Sequence, residues 1–123
     1  MITIDDAQIM LDEIAEELPK EFYNELNGGI LLLPNVKYSE YARQSDLYIM
    51  GEYVRHHVMG RLIYIYFGSF QRVYGHLSPA AFKDQLRETL LHEFTHHLES
   101  LAGETGLEKK DEDSLEKYLR RGK

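Results

Sequence analysis

Residues 90–98 read LLHEFTHHL, and within them the pattern His92-Glu93-Phe94-Thr95-His96 places two imidazoles four positions apart. Four residues turn an α-helix through about 400°, so the two rings lie about 40° apart around the helix axis. Both side chains then point from one helix face into the same space. Because neutral imidazole is a good zinc ligand, the spacing predicts a metal site made by His92 and His96.

Glu93 lies about 100° around the same helix from His92, near the metal but outside its coordination sphere. Zinc lowers the pKa of a bound water to about 7, and a carboxylate at this place can accept the proton. The pattern therefore assigns Glu93 as a general base. The competing interpretation is that the two histidines are solvated or structural residues that bind no metal.

The flanking sequence predicts that the motif lies inside a long helix. Ser78-Pro79 is typical of a helix start, because serine caps the first turn and proline needs no hydrogen bond there. We expect the helix to run from Pro79 to about Leu101 and to end at Gly103 and Gly106. A drifting apolar stripe lies largely opposite the two histidines and predicts the buried face: Leu86, Leu90, Phe94, Leu98 and Leu101.

Two further helices are predicted near the ends of the chain. Thr3, with Asp6 three residues later, is a plausible capping residue, and apolar positions recur at helical spacing as far as Pro19. A short helix is predicted from about Ser114 to Arg120.

Between these helices, three apolar runs indicate strands, and the run bounded by Gly60 and Gly68 is the strongest: Ile30–Leu33, Leu47–Met50 and Arg61–Phe67. Helices and strands do not alternate as they would in βαβ units. The predicted class is α+β, with residues 1–123 forming a single domain.

Composition excludes several functional classes. A chain of 123 residues, 43% of them hydrophobic, can bury one core, and a formal charge of −7 with scattered basic residues gives little grip on nucleic acid. No cysteine is present, so a metal must be held by imidazole and carboxylate. The acidic N-terminus is unlike a signal peptide, and no apolar run approaches the ~20 residues that span a bilayer. We expect a cytoplasmic protein that binds neither membrane nor nucleic acid.

A catalytic zinc site needs a third protein ligand, and the neighbouring residues of the motif are poorly placed to supply it. His97 lies about 100° beyond His96 and is expected to be a supporting or surface residue. Glu99 shares the histidines' face, but ligation from the same helix would strain tetrahedral geometry. His56 and His57 are interpreted as surface residues. The acids after the helix are all candidates, although many belong to an ordinary solvated helix start: Glu104, Asp111, Glu112, Asp113 and Glu116.

Three segments of the chain resemble the minimal zincin-like metallopeptidase family, small bacterial proteins with an N-terminal helix, a short sheet and an HExxH helix near the C-terminus. They are Met50-Gly51-Glu52-Tyr53, the run Arg61–Phe67 and, most specifically, Leu90–Leu98. The resemblance covers most of the chain. It departs from the family where a glycine usually stands three residues after the second histidine, because this chain has Glu99 there.

The resemblance implies a minimal zincin-like fold and a zinc-dependent metallopeptidase, with Glu93 as its base and His92 and His96 as metal ligands. The family's acidic ligand falls on the cluster Asp111-Glu112-Asp113, where Asp111 is the predicted third ligand and Glu104 the reserve. It also implies that a peptide substrate binds an edge strand by main-chain hydrogen bonds. That edge is expected at Arg61–Phe67.

Two other functions fit part of the sequence. A chain this small has little room for the walls of a substrate cleft, so it could be a zinc-binding interaction module without proteolytic activity. A metal-dependent nuclease is the third alternative. Nucleases with histidine-rich helices carry a third histidine downstream, which this chain lacks, and the acidic composition also opposes that function.

Overall fold

In the computed structural model, which describes residues 1–39 and 47–105 (the last two as backbone only), three α-helices combine with a three-stranded mixed sheet. The first helix, α1, is Ile4–Glu17. Thr3 caps it as predicted: its Oγ1 accepts a hydrogen bond from the Asp6 N–H at 3.1 Å, and the Asp6 carboxylate accepts one from the Thr3 N–H at 2.9 Å. One turn of 3₁₀ helix, Lys20–Tyr23, follows.

The sheet contains β1 (Gly29–Leu33), β2 (Gly51–His56) and β3 (Gly60–Tyr66) in the order β1-β3-β2. β1 is parallel to β3 and β2 is antiparallel to it. The expectation that Arg61–Phe67 forms an edge strand was wrong, because β3 pairs on both sides and its backbone groups are used within the sheet. Its buried residues Leu62, Ile63 and Ile65 suit a central strand.

Segment Leu47–Met50 is not the strand that its apolar residues predicted. Tyr48 forms a single bridge with Tyr38, and the second strand begins at Gly51. Leu47 is half exposed. The apolar run therefore lies before the strand and not within it. The residues that pair with β3, and not residue type alone, decide where β2 begins.

The second and third helices are α2 (Phe67–Tyr74) and α3 (Pro79–Thr105). The sequence patterns did not predict α2, which continues directly from β3. Gly68 lies so close to Asn35 that an added Cβ would come within 2.6 Å of the Asn35 backbone. Glycine there permits close packing and does not end an element. Of the two glycines predicted to end α3, Gly103 does not end it, since the helix continues to Thr105, and Gly106 lies outside the described residues.

The predicted apolar stripe of α3 is confirmed as its buried face: Leu86, Leu90, Phe94, Leu98 and Leu101 are all nearly inaccessible to solvent. The four from Leu86 to Leu98 belong to a core with residues of α1 and with Ile63 and Ile65 of β3. The opposite face of α3, which carries the histidine motif, is left for the site. No helix in residues 1–39 and 47–105 is long and apolar enough to cross a membrane. The predicted helix at 114–120 lies outside the described residues.

Candidate metal centre

His92 and His96 meet on the exposed face of α3, as their spacing predicts. Their Nε2 atoms are 3.1 Å apart and both rings are exposed. A tetrahedral zinc ion with bonds of about 2.0–2.1 Å separates two ligating nitrogens by about 3.3 Å. The pair therefore fits a shared metal ion with very little movement. The same distance also suits a hydrogen bond between two neutral rings, in which one Nε2–H donates to the other Nε2.

Glu93 is buried between α3 and β2, with only 6% of the residue exposed. The Tyr53 N–H faces its carboxylate and favours the charged form. Burial raises the pKa of Glu93 above its ordinary value, and the nearby Glu52 carboxylate acts in the same direction, whereas His92 and His96 oppose the rise. A carboxylate with a raised pKa is a stronger base, which suits a proton acceptor working near neutral pH.

A cleft runs between the histidine-bearing face of α3 and the segment Ile49–Tyr53, and we refer to it as the metal cleft. It consists of two adjoining depressions of about 790 Å³ and 410 Å³, both of which border His92 and Glu93. The larger depression extends toward Glu99 and the smaller toward Glu88. Concave sites of this size hold small molecules or a few residues of peptide.

The wall of the metal cleft opposite α3 is the outer edge of β2, with which no other strand of residues 1–39 and 47–105 pairs, and we refer to it as the free edge. The Tyr66 N–H donates to the Met50 carbonyl at 2.9 Å, so Glu52 and Val54 are the next residues that pair with β3. In an antiparallel pair, the intervening Gly51 and Tyr53 then direct their backbone groups away from β3. The edge strand beside α3 is therefore β2, in place of the expected Arg61–Phe67.

His97 was expected to be a supporting or surface residue, but it is completely buried. Its Nε2 lies 2.8 Å from the Asn24 carbonyl, to which it donates, so Nδ1 accepts from the Tyr53 hydroxyl at 2.8 Å. Burial lowers the pKa of His97 and favours this neutral form. The residue therefore joins α3 to β2 directly beside the metal cleft.

Glu52 of β2 takes part in an ion pair and in a hydrogen bond with a tyrosine, and the sequence patterns predicted neither of them. Glu52 pairs with Lys37 and accepts a hydrogen bond from the Tyr66 hydroxyl at 2.5 Å. Burial alone would raise the pKa of Glu52, but these two donors outweigh it and keep the pKa below its ordinary value. The partners are 14 and 15 positions from Glu52, so no local spacing could have indicated them. The charge of Glu52 is thus balanced within its own cluster.

The described residues do not complete the predicted ligand set. Within 1–39 and 47–105, no group of three or more histidine, aspartate or glutamate side chains is arranged to hold a metal ion. Asp111, the predicted third ligand, lies outside the described residues, as do Glu112, Asp113 and Glu116. Glu104 belongs to α3, but only its backbone is described.

The pair His56 and His57 lies away from the metal cleft. His56 Nδ1 accepts hydrogen bonds from the Val58 and Met59 N–H groups at 3.1 Å and 3.0 Å, which holds the turn between β2 and β3. His57 is exposed, as expected for a surface residue.

Comparison with known proteins finds a solved structure that is similar to this chain. No protein-family model and no curated protein matches the chain. A solved structure, a conserved hypothetical protein from Thermus thermophilus, is similar with a TM-score of 0.69 and 31% sequence identity. The match covers 82% of this chain and 98% of the other.

Proposed function

The chain belongs to the family of the Thermus thermophilus conserved hypothetical protein, and from its own site we propose that it is a zinc-dependent metallopeptidase with a minimal zincin-like fold. The observation that carries the proposal is the 3.1 Å separation of the His92 and His96 Nε2 atoms, next to the buried carboxylate of Glu93. Metal ligands and a base thus adjoin in one cleft, beside a free strand edge.

His92 and His96 would hold the ion through Nε2. When bound, zinc supplies an acidified water and polarises the peptide carbonyl. Glu93 accepts the proton of the attacking water and then delivers it to the leaving amine, so one side chain acts first as base and then as acid. The Tyr53 N–H, on the edge of β2, faces the Glu93 carboxylate and favours its charged form.

The substrate of this proposal is an extended peptide lying along the free edge of β2. The backbone groups of Gly51 and the carbonyl of Tyr53 face the metal cleft and can pair with a peptide main chain, whereas the Tyr53 N–H is directed at Glu93. Such pairing would place a peptide bond between β2 and the motif helix, within reach of Glu93. This position replaces the edge first expected at Arg61–Phe67.

The third ligand in the proposal remains Asp111, which follows α3 along the chain. Replacing it by alanine is expected to weaken zinc binding strongly, whereas Glu112→Ala and Asp113→Ala retain it. If Glu104→Ala alone loses the metal, the ligand is Glu104.

The metal assignment is tested by measuring zinc bound to the purified protein by mass spectrometry. Wild type is expected to bind one zinc ion per chain and His96→Ala much less. His76→Ala is the matched control, because His76 is an exposed histidine outside the metal cleft. The assignment fails if wild type binds no zinc or if His96→Ala binds as much as wild type.

The enzyme assignment is tested by peptide cleavage with the zinc content measured in parallel. Glu93→Gln preserves the side-chain shape but cannot accept a proton, so the variant should keep zinc and lose at least about 10²-fold in rate. A wild-type protein that binds zinc but cleaves nothing in a broad peptide library is instead the interaction module.

A further inference from the structure

The charged side chains of α3 are divided between its two sides. Both basic residues of this helix pair with acids away from the cleft: Lys83 lies 3.3 Å from Glu13, and Arg87 contacts Glu17 and Asp84. The side that borders the metal cleft carries Glu88, Glu93 and Glu99. In the described part of the chain, no lysine or arginine borders this cleft.

Two of these acids are available to a ligand, whereas the other carboxylates of the cleft are engaged. Glu93 is buried and faces the Tyr53 N–H, and Glu52 is paired with Lys37. Glu88 and Glu99 are both exposed and stand on opposite sides of the histidine pair. Glu88 borders the smaller depression and Glu99 the larger one.

The distance between Glu88 and Glu99 along the helix predicts how far apart two peptide residues must be to reach both of them. Glu99 lies eleven positions after Glu88, which corresponds to about 16 Å along the helix at 1.5 Å per residue. An extended peptide rises about 3.3 Å per residue and therefore covers that span with about five residues. With the histidine pair near the middle, each acid lies two or three residues from the bond placed at the metal.

The free edge of β2 fixes where such a peptide would run. Gly51 approaches the Thr89 side chain, and Tyr53 faces Glu93 and bonds to His97 further along α3, so β2 and α3 run in the same direction along the cleft. A chain that pairs with β2 must then pass both Glu88 and Glu99.

We propose that the metal cleft selects basic peptides, with Glu88 and Glu99 each binding a lysine or arginine two or three residues from the scissile bond, on opposite sides of it. The proposal rests on the peptidase function and adds its substrate class. Acidic peptides are excluded by repulsion from the same two carboxylates, because unlike charges steer association and like charges suppress it.

Binding is measured by fluorescence anisotropy on zinc-loaded Glu93→Gln protein, so recognition is read without cleavage. The probes are fluorescein-labelled octapeptides with an Ala-Leu centre, carrying lysine, glutamine or glutamate three residues on either side of the central bond. We expect the lysine peptide to bind about tenfold more tightly than the glutamate peptide at low salt, and the difference to shrink at high salt.

Charge-removing variants assign the selectivity to residues. Glu88→Gln and Glu99→Gln are each expected to reduce the lysine preference about threefold, and the double variant to remove most of it. Glu16→Gln, an exposed acid of α1, changes the net charge equally and should leave the preference unchanged. Equal affinity for the lysine and glutamate peptides, or equal effects of all three single variants, overturns the proposal. Charge-dependent binding to Glu93→Gln with no cleavage by wild type supports the recognition but rejects the peptidase function.

Discussion

His97 shows how one residue of the motif supports the site without belonging to it. The ring occupies a fully buried position and uses both nitrogens, one toward Asn24 and the other toward Tyr53. It therefore fixes the distance between α3 and the strand edge where Glu93 is held. Loss of either hydrogen bond should therefore lower the stability of the fold more than it changes the reaction at the site.

Replacing His97 with leucine tests this role. Leucine fills part of the space but leaves the Tyr53 hydroxyl and the Asn24 carbonyl without their partner, so we expect the free energy of unfolding to fall by about 2–3 kcal/mol. Urea denaturation measures the change. Tyr53→Phe, which removes only the hydroxyl, should cost about 1 kcal/mol. A His97→Leu protein as stable as wild type would contradict the role.

The lowered pKa of His97 also predicts a pH dependence of stability. Its folded-state pKa is below the unfolded value of 6.5, so between the two the unfolded chain binds more protons. The contribution is complete above pH 6.5 and is lost as the pH falls through the folded-state pKa. Urea titrations with a chelator present measure the free energy of unfolding between pH 5 and pH 8. This free energy should rise less steeply with pH in His97→Gln than in wild type.

Glu93 has the opposite sign, because its raised pKa lets the folded state take up a proton first as the pH falls. Wild type and His97→Gln both retain Glu93, so its contribution to the pH dependence of stability cancels when the two are compared. Identical slopes for wild type and His97→Gln would contradict the assignment to His97.

At the scale of elements, two glycines that look alike in sequence have opposite roles. An added Cβ at Gly68 would meet the Asn35 backbone at 2.6 Å, whereas one at Gly103 meets nothing within 4 Å. Gly68→Ala should therefore force α2 away from residues 35–36 and destabilise the protein by more than about 2 kcal/mol. Gly103→Ala should stabilise α3 by up to about 1 kcal/mol, since alanine is the better helix former. Thermal unfolding of the two variants distinguishes these signs, and a stabilised Gly68→Ala would contradict the packing.

The elements that the sequence predicted well are those with local signals. The capping pair Thr3 and Asp6 sets the start of α1, and the stripe from Leu86 to Leu101 sets the buried face of α3. The facing of His92 and His96 follows from the same helical periodicity.

The elements that were wrong or missed depend on distant partners. The boundary and edge position of β2 follow from its pairing with β3, and Gly68, in the first turn of α2, packs closely against the Asn35 backbone. The hydrogen bond of Tyr53 to His97 spans 44 positions, and that of Lys37 to Ser69 spans 32. Such contacts result from the topology of the fold, so no local spacing in the sequence predicts them.

For the molecule as a whole, the proposed metal couples the site to global stability. His92 and His96 lie on the helix that provides most of one side of the core, so an ion bound only by the folded chain must stabilise α3 and everything packed on it. At a free zinc concentration about 100 times the dissociation constant, this linkage contributes about 2.7 kcal/mol. For a domain of this size, that corresponds to a rise in Tm of about 10 °C.

Differential scanning fluorimetry with and without zinc measures the shift. His96→Ala should show almost none, while His76→Ala, outside the cleft, should respond like wild type. Magnesium should not replace zinc, because it prefers oxygen ligands and retains its waters. An equal shift in wild type and His96→Ala would mean that zinc stabilises the fold from somewhere other than the motif face of α3, and the metal centre would then have to be sought elsewhere in the chain.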